Sequence, residues 1–212
     1  IAHRVATRLG FHVLDSGALY RLLGAAAERH AVAVTNEAAL EVLAAHLDVQ
    51  FLFDGSGEAQ ILLEGEDVTH SIRTEEAGRV ASQVAALPRV RDALMARQQA
   101  FREAPGLVAD GRDMGTVIFP DAALKVFLTA TAAERAERRH KQLIQKGFSA
   151  NLEEICADLE ARDLRDRTRA VSPLVPAADA RKLDNSALTI EESMDTVLGW
   201  WVEGWPHVIA GH

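Results

Sequence analysis

Ile1, Val5 and Leu9 recur every four residues, which places them on one face of a helix, and Gly10 closes it. No capping residue precedes Ile1, so the chain reads as opening inside an element whose upstream part is missing. Phe11-His12-Val13-Leu14 is a short apolar run, the pattern of a buried strand. An alanine-rich helix is expected from about Ala18 to His30, with Ser16 as a candidate cap, and another from about Glu37 to His46 after Thr35-Asn36.

The pattern then changes. Val49–Phe53 and Ala59–Leu63 are apolar runs flanking Asp54-Gly55-Ser56-Gly57-Glu58, which predicts a β-hairpin with a glycine-bearing loop, continued by Glu64–Val68. Residues 48–72 therefore read as a small β-rich insertion in a βα chain. Helices return over about Thr74–Ala86 and Arg89–Glu103, with Pro88 where a missing N–H costs nothing and Pro105-Gly106 as the stop. Gly106–Ala109 and Leu124–Leu128 are strand-like. Thr131 with Glu134 forms a capping-box pattern for a helix to about Lys146, closed by Gly147. A helix over about Leu152–Arg162, an irregular stretch around Pro173 and Pro176, a short strand at Arg181–Asp184 and a helix from Thr189 to about Glu203 complete the chain. Trp200, Trp201 and Trp205 read as packing anchors. Short apolar strands alternating with helices predict an α/β fold with a mostly parallel sheet covered on both faces.

Composition narrows the function. The 212 residues carry a formal charge of −8, which argues against nucleic-acid polymers, whose binding needs a basic face. There is no long apolar run of membrane-spanning length and no signal peptide, and the single cysteine, Cys156, fits a reducing cytoplasm and the role of a small helix filler. The eight histidines show no metal-ligand spacing, so no protein-bound metal is expected.

Against this acidic background, arginine is locally dense. Arg162, Arg165, Arg167 and Arg169 fall within eight residues, a composition suited to phosphate, which guanidinium matches bidentately at any physiological pH. A charged helix end with i,i+4 ion pairs is the plainer reading; a mobile arginine-bearing flap over a phosphoryl-transfer site also explains the break at Ala170–Pro173. Asp110-Gly111-Arg112-Asp113 follows a strand, where ligands bind open α/β sheets, although a plain βα turn with an ion pair has the same sequence. Asp15-Ser16-Gly17 with Tyr20-Arg21 is a second such place, either an anion site or an ordinary helix cap. Arg135 and Arg139 share a helix face and would meet a nucleotide or only solvent.

Taken together, Asp15–Arg21, Ser82–Ala85, Pro88–Arg91, Asp110–Thr116, Arg162–Arg169 and Ser172–Asp179 resemble bacterial cytidylate kinases, in the family's order and across most of the chain. The resemblance implies a P-loop NTPase-like parallel sheet with a β-rich acceptor-side insertion and an arginine-rich lid. The parts would be core at 1–36, a nucleoside-monophosphate-binding region at 37–103, and core again at 104–212 with the lid at about 162–176. The implied activity is transfer of the γ-phosphoryl group of ATP, with Mg²⁺ held mainly by nucleotide and water, to CMP or dCMP. Ser82, Arg91 and Asp113 would read cytosine. Arg21 and Arg112 would hold the acceptor phosphate with Ser16 nearby, and Arg162 and Asp166 would lie near the sugar. Arg165, Arg167 and Arg169, together with Arg112 and Arg162, would serve the transferring group, and Arg135 and Arg139 the ATP side. A cytoplasmic monomer is the family-level expectation.

Family members carry a glycine-rich phosphate loop just before the helix that starts here at Ile1. Because Ile1 opens mid-helix, the loop is expected to belong to the missing upstream part, so intact mass should exceed 23.0 kDa by about 2 kDa, the weight of roughly twenty residues. The alternatives are a kinase for another small acceptor (uridylate, adenylate or shikimate) and a nucleotide-binding protein without catalysis.

Overall fold

A computed structural model describes residues 1–53, 59–145, 147 and 149–205. The expected hairpin loop at 54–58, the helix end at Lys146 and the tail after Trp205 lie outside the described residues. The chain forms two compact units. One comprises Ile1–Leu14, Phe101–Thr168 and the chain from Ser172 onward; the other comprises Asp15–Ala100 with Arg169–Val171.

In the first unit, α1 (Ala2–Leu9) ends at Gly10, whose φ of 67° is the left-handed conformation that glycine adopts at no steric cost. Strand β1 (His12–Asp15) pairs with β5 (Leu107–Asp110). β6 (Val126–Thr129) pairs in parallel with β7 (Arg181–Asp184), Val126 opposite Arg181. α1 packs on β5 and on α8 (Ile190–Gly204), and α6 (Ala132–Gln145) packs on α7 (Leu152–Thr168). The tryptophans act as anchors: Trp201 meets Phe11 edge-on at 5.7 Å and stacks on Trp205 at 4.9 Å. Gly106 is required by space, since a Cβ there would stand 2.8 Å from the Phe11 ring.

The second unit is organised by α2 (Ser16–Arg29), which buries two faces. Tyr20, Leu23 and Ala27 pack with α3 (Glu37–Ala45), α4 (Glu75–Val84) and α5 (Pro88–Gln99). Leu22 and Ala26 pack against Ile61, Leu63, Val68 and Ile72 of the β-rich segment. That segment is an antiparallel sheet of β2 (Val49–Phe53), β3 (Ala59–Leu63) and β4 (Glu66–Asp67), Val49 opposite Leu63. The antiparallel strand pair expected from the two apolar runs is thus present, and the 3.6-residue helical period lets one helix serve both cores.

Three local expectations change. The cap of α2 is Asp15, whose carboxylate accepts the Ala18 N–H at 3.0 Å, while Ser16 is the first helical residue. The helix expected to stop near Arg162 continues to Thr168. No glycine or proline interrupts residues 152–172, and the pairs Arg162/Asp166 and Asp163/Arg167 sit at supportive i,i+4 spacing. The box at Thr131 is half formed: its hydroxyl accepts the Glu134 N–H, but its own N–H donates to Ser186 Oγ. The complete box is at Thr189 and Glu192, opening α8.

Candidate nucleotide site

In the second unit, Ser16, Arg21, Arg91 and Arg169 are each tied down by a polar contact. Ser16 is 3% exposed, and its hydroxyl donates to Gln98 Oε1 at 2.6 Å. Arg21 donates from Nη1 to the Ile72 carbonyl at 2.9 Å. Ser82 is buried on α4, and Arg91, only 4% exposed, projects from α5. Arg91 Nη1 donates to the Ala85 carbonyl at 3.0 Å, and its guanidinium lies 5.7 Å from the centre of the Tyr20 ring, within cation–π range. Arg169, also buried, donates to the same Ala85 carbonyl at 3.4 Å. Ala85 caps the C-terminus of α4, where carbonyls have lost their helical partners and the helix dipole is negative. Two arginines far apart in sequence are gathered there by elementary electrostatics.

In the first unit, β5 delivers Asp110-Gly111-Arg112-Asp113. A wide helical turn, Met114–Ile118, follows, in which the Asp113 carbonyl accepts the amide of Val117 at 2.9 Å and that of Ile118 at 3.3 Å. This turn was not foreseen from sequence; it fixes the backbone of Asp113, whose side chain is buried. Arg112 Nε donates to Asp166 Oδ2 at 2.9 Å, joining two residues 54 apart in sequence. The Asp166 side chain is only 4% exposed, so this carboxylate depends on polar groups of the protein rather than on water.

Arg162, Arg165 and Arg167 sit on the last turns of α7, and Arg169 lies just past its end. Arg165 Nη1 is buried with no hydrogen-bond partner among the described residues. Arg135 is held on both terminal nitrogens by the carboxylate of Asp163, Nη1 at 3.0 Å. Arg139 shares its helix. Between them in sequence, Arg138 donates to the carbonyls of Asn185 at 2.6 Å and Ser186 at 3.2 Å, so its role is to hold the turn after β7. Cys156 is half-buried on α7, its sulfur 4.0 Å from Glu160.

Gln98 is the polar residue that sequence reasoning passed over. It is fully buried, and a signal was available: Val90, Leu94 and Gln98 follow at four-residue spacing, so a glutamine occupies the third place of a buried stripe. Among the described residues no cluster of three or more acidic, histidine or cysteine side chains is arranged to hold a metal ion, and no helix is long and apolar enough to cross a membrane.

Parallel strand pairing and an antiparallel insertion packed on one helix are consistent with the P-loop NTPase-like nucleoside monophosphate kinase fold, the class to which the family match assigns the chain. The family model for cytidylate kinase matches residues 1–201. A cytidylate kinase of Pseudomonas aeruginosa is 60% identical over 199 residues, 93% of this chain and 87% of that protein. One from Bordetella bronchiseptica is 58% identical over 201 residues, covering 95% and 88%, and one from Aeromonas salmonicida is 57% identical over 196 residues, covering 92% and 85%. The chain belongs to the cytidylate kinase family.

Proposed function

We propose that this chain phosphorylates CMP and dCMP, taking the γ-phosphoryl group of ATP and giving CDP or dCDP. Family membership supports this, and the observation that carries it into the structure is the placement of Arg91 and Arg169 on one carbonyl. Both are buried, a position in which guanidinium is costly without a purpose.

Ser82, Arg91 and Asp113 read cytosine: a carboxylate accepts from the 4-amino group, and arginine donates to N3 and O2. UMP offers a carbonyl where the amino group stands, which would face the carboxylate with an acceptor. Arg21 and Arg112 take the acceptor phosphate, with Ser16 beside it, and Arg162 and Asp166 take the sugar. Arg165, Arg167 and Arg169 neutralise the transferring group, with Arg112 and Arg162, and Arg135 and Arg139 serve the ATP side. No general base is required, because a phosphate monoester is largely dianionic at neutral pH and its oxygen attacks the γ-phosphorus directly. The bond to the β–γ bridging oxygen breaks as the new one forms, so catalysis is alignment plus charge neutralisation. The nucleotide phosphates and water would hold Mg²⁺, which would supply charge neutralisation there without a protein cage. We read 1–36 and 104–212 as core, 37–103 as the acceptor region and 162–176 as the lid, in a monomer working in the cytoplasm.

Calorimetric titration with CMP, UMP and AMP tests the reading. CMP should bind in preference to both comparators, and Asp113→Asn should narrow its lead over UMP. Preference for AMP or UMP would replace the proposed substrate, and an unchanged lead in Asp113→Asn would remove Asp113 from base reading.

A further inference from the structure

Resting on that reading, we propose that Lys125 is a positioning residue for cytosine selection: it braces the turn that carries Asp113 and does not itself bind the nucleotide. The starting point is burial. The Lys125 side chain is only 10% exposed, an unusual place for an ammonium group unless its protons have acceptors. Lys125 Nζ donates to the Pro120 carbonyl at 2.5 Å and to both carboxylate oxygens of Asp179, Oδ1 at 3.0 Å and Oδ2 at 2.8 Å. An ammonium has three protons, and these acceptors occupy all of them. No proton remains for a phosphate.

What these contacts hold is the turn after β5. From within, the turn is closed on the Asp113 carbonyl, which accepts the amides of Thr116, Val117 and Ile118 and the Thr116 hydroxyl. From outside, it is held by Lys125. The lysine stem lies against Gly115, where a Cβ would stand 3.1 Å from Lys125 Cδ, closer than such contacts ordinarily come. Its Nζ then holds the Pro120 carbonyl, just past the end of the turn. Lys125 is itself fixed, because its carbonyl accepts the Arg181 N–H at 2.9 Å where β6 joins β7. The β6–β7 pair thus props the backbone from which the buried Asp113 side chain projects. A carboxylate distinguishes an amino group from a carbonyl only where it meets the amino proton, and a displacement of about 1 Å is enough to lose that bond.

The test is the lead of CMP over UMP, measured by calorimetry on the whole chain and its variants. Lys125→Met keeps most of the stem and removes the ammonium. It should narrow the lead roughly fivefold, about the worth of one hydrogen bond, by weakening CMP while UMP binds as before. Added to Asp113→Asn it should narrow the lead no further, because it acts through Asp113. Asp179→Ala truncates a side chain that is 64% exposed, and should shift the lead the same way by a smaller factor. It decides the matter if Lys125→Met does not fold. Equal losses for CMP and UMP would make Lys125 a phosphate contact or a plain structural prop and overturn the proposal. So would a lead left intact by these variants while Asp113→Asn narrows it, or losses that add in the double variant. A lead that Asp113→Asn leaves intact, or an unsubstituted chain without preference for CMP, would reject the reading of the site and this proposal with it.

Discussion

The two units hold their arginines by different means. In the second unit, Arg21 rests on the Ile72 carbonyl, and Arg91 and Arg169 on that of Ala85. In the first, Arg112 rests on Asp166, Arg135 on Asp163, Arg102 on Asp121 and Arg181 on Glu203. A carbonyl fixes the direction of a guanidinium without cancelling its charge; a carboxylate does both. The contrast holds for the site residues and not for every arginine: in the second unit Arg29 joins Glu64 and Glu66, Arg79 meets Glu76 and Arg89 meets Glu41, and in the first Arg138 rests on carbonyls.

The sharpest way to break this comparison is at Arg91. Arg91→Met removes a buried guanidinium with a fixed carbonyl contact, and CMP affinity should fall roughly a hundredfold, the worth of charge-assisted bonds to a ligand. Arg91→Lys should not rescue it, because a single ammonium cannot hold Ala85 and present a planar pair of donors to the base. Calorimetric titration decides the matter: a lysine variant that binds CMP like the parent would show that the carbonyl anchor is irrelevant to recognition.

The next test removes a carboxylate from the first unit. Asp163→Asn leaves Arg135 without its charged partner on α7. The Asp163 side chain is 14% exposed and that of Arg135 31%, so the pair is only partly screened. A cost of about 1 kcal/mol corresponds to a fall in melting temperature of about 2–4 °C for a chain of this size. A melting curve unchanged by the substitution would put the pair among the surface bridges that contribute nothing measurable.

Much of this was legible from sequence because it depends on local patterns. Apolar spacing gave α1, alanine richness gave α2, and two apolar runs flanking the glycine-bearing stretch 54–58 gave the hairpin. What was hidden depended on choices between neighbours or on distant partners. Asp15 and Ser16 are both competent caps, and only the Ser16–Gln98 bond decides between them. The partners of α7 were hidden in the same way, since Arg112 and Arg135, far away in sequence, pair with its carboxylates. The turn at Met114–Ile118 has no residue signature, since its bonds converge on one backbone carbonyl. For the site, residue types named the arginines, but not whether each would rest on a carbonyl or a carboxylate.

The smallest effect extends the same contrast to acids. In the second unit, Asp67 is held down to about 2, first by the Thr69 hydroxyl, then by the Thr69 N–H and the Gln60 amide. Thr69 is free to give its proton because its oxygen already accepts the Ile61 N–H at 2.8 Å. In the first unit, Asp121 and Asp179 also titrate below the ordinary carboxylate range, chiefly through Arg102 and Lys125. In each case the folded value lies below the unfolded one, so the stabilisation is present above about pH 4 and fades as the pH falls through the folded value. For Asp67 that window runs down to about 2, which makes the β3–β4 segment resistant to mild acid. Salt separates the two mechanisms, because neutral dipoles at contact are little screened while exposed charges are. Following the side-chain carboxyl resonances through an acid titration at low and high salt should show Asp121 and Asp179 moving back toward ordinary values and Asp67 staying low. If Asp67 moved as far as Asp121, the segment would be held by net charge, and the distinction between neutral and charged anchors would not extend beyond the arginines.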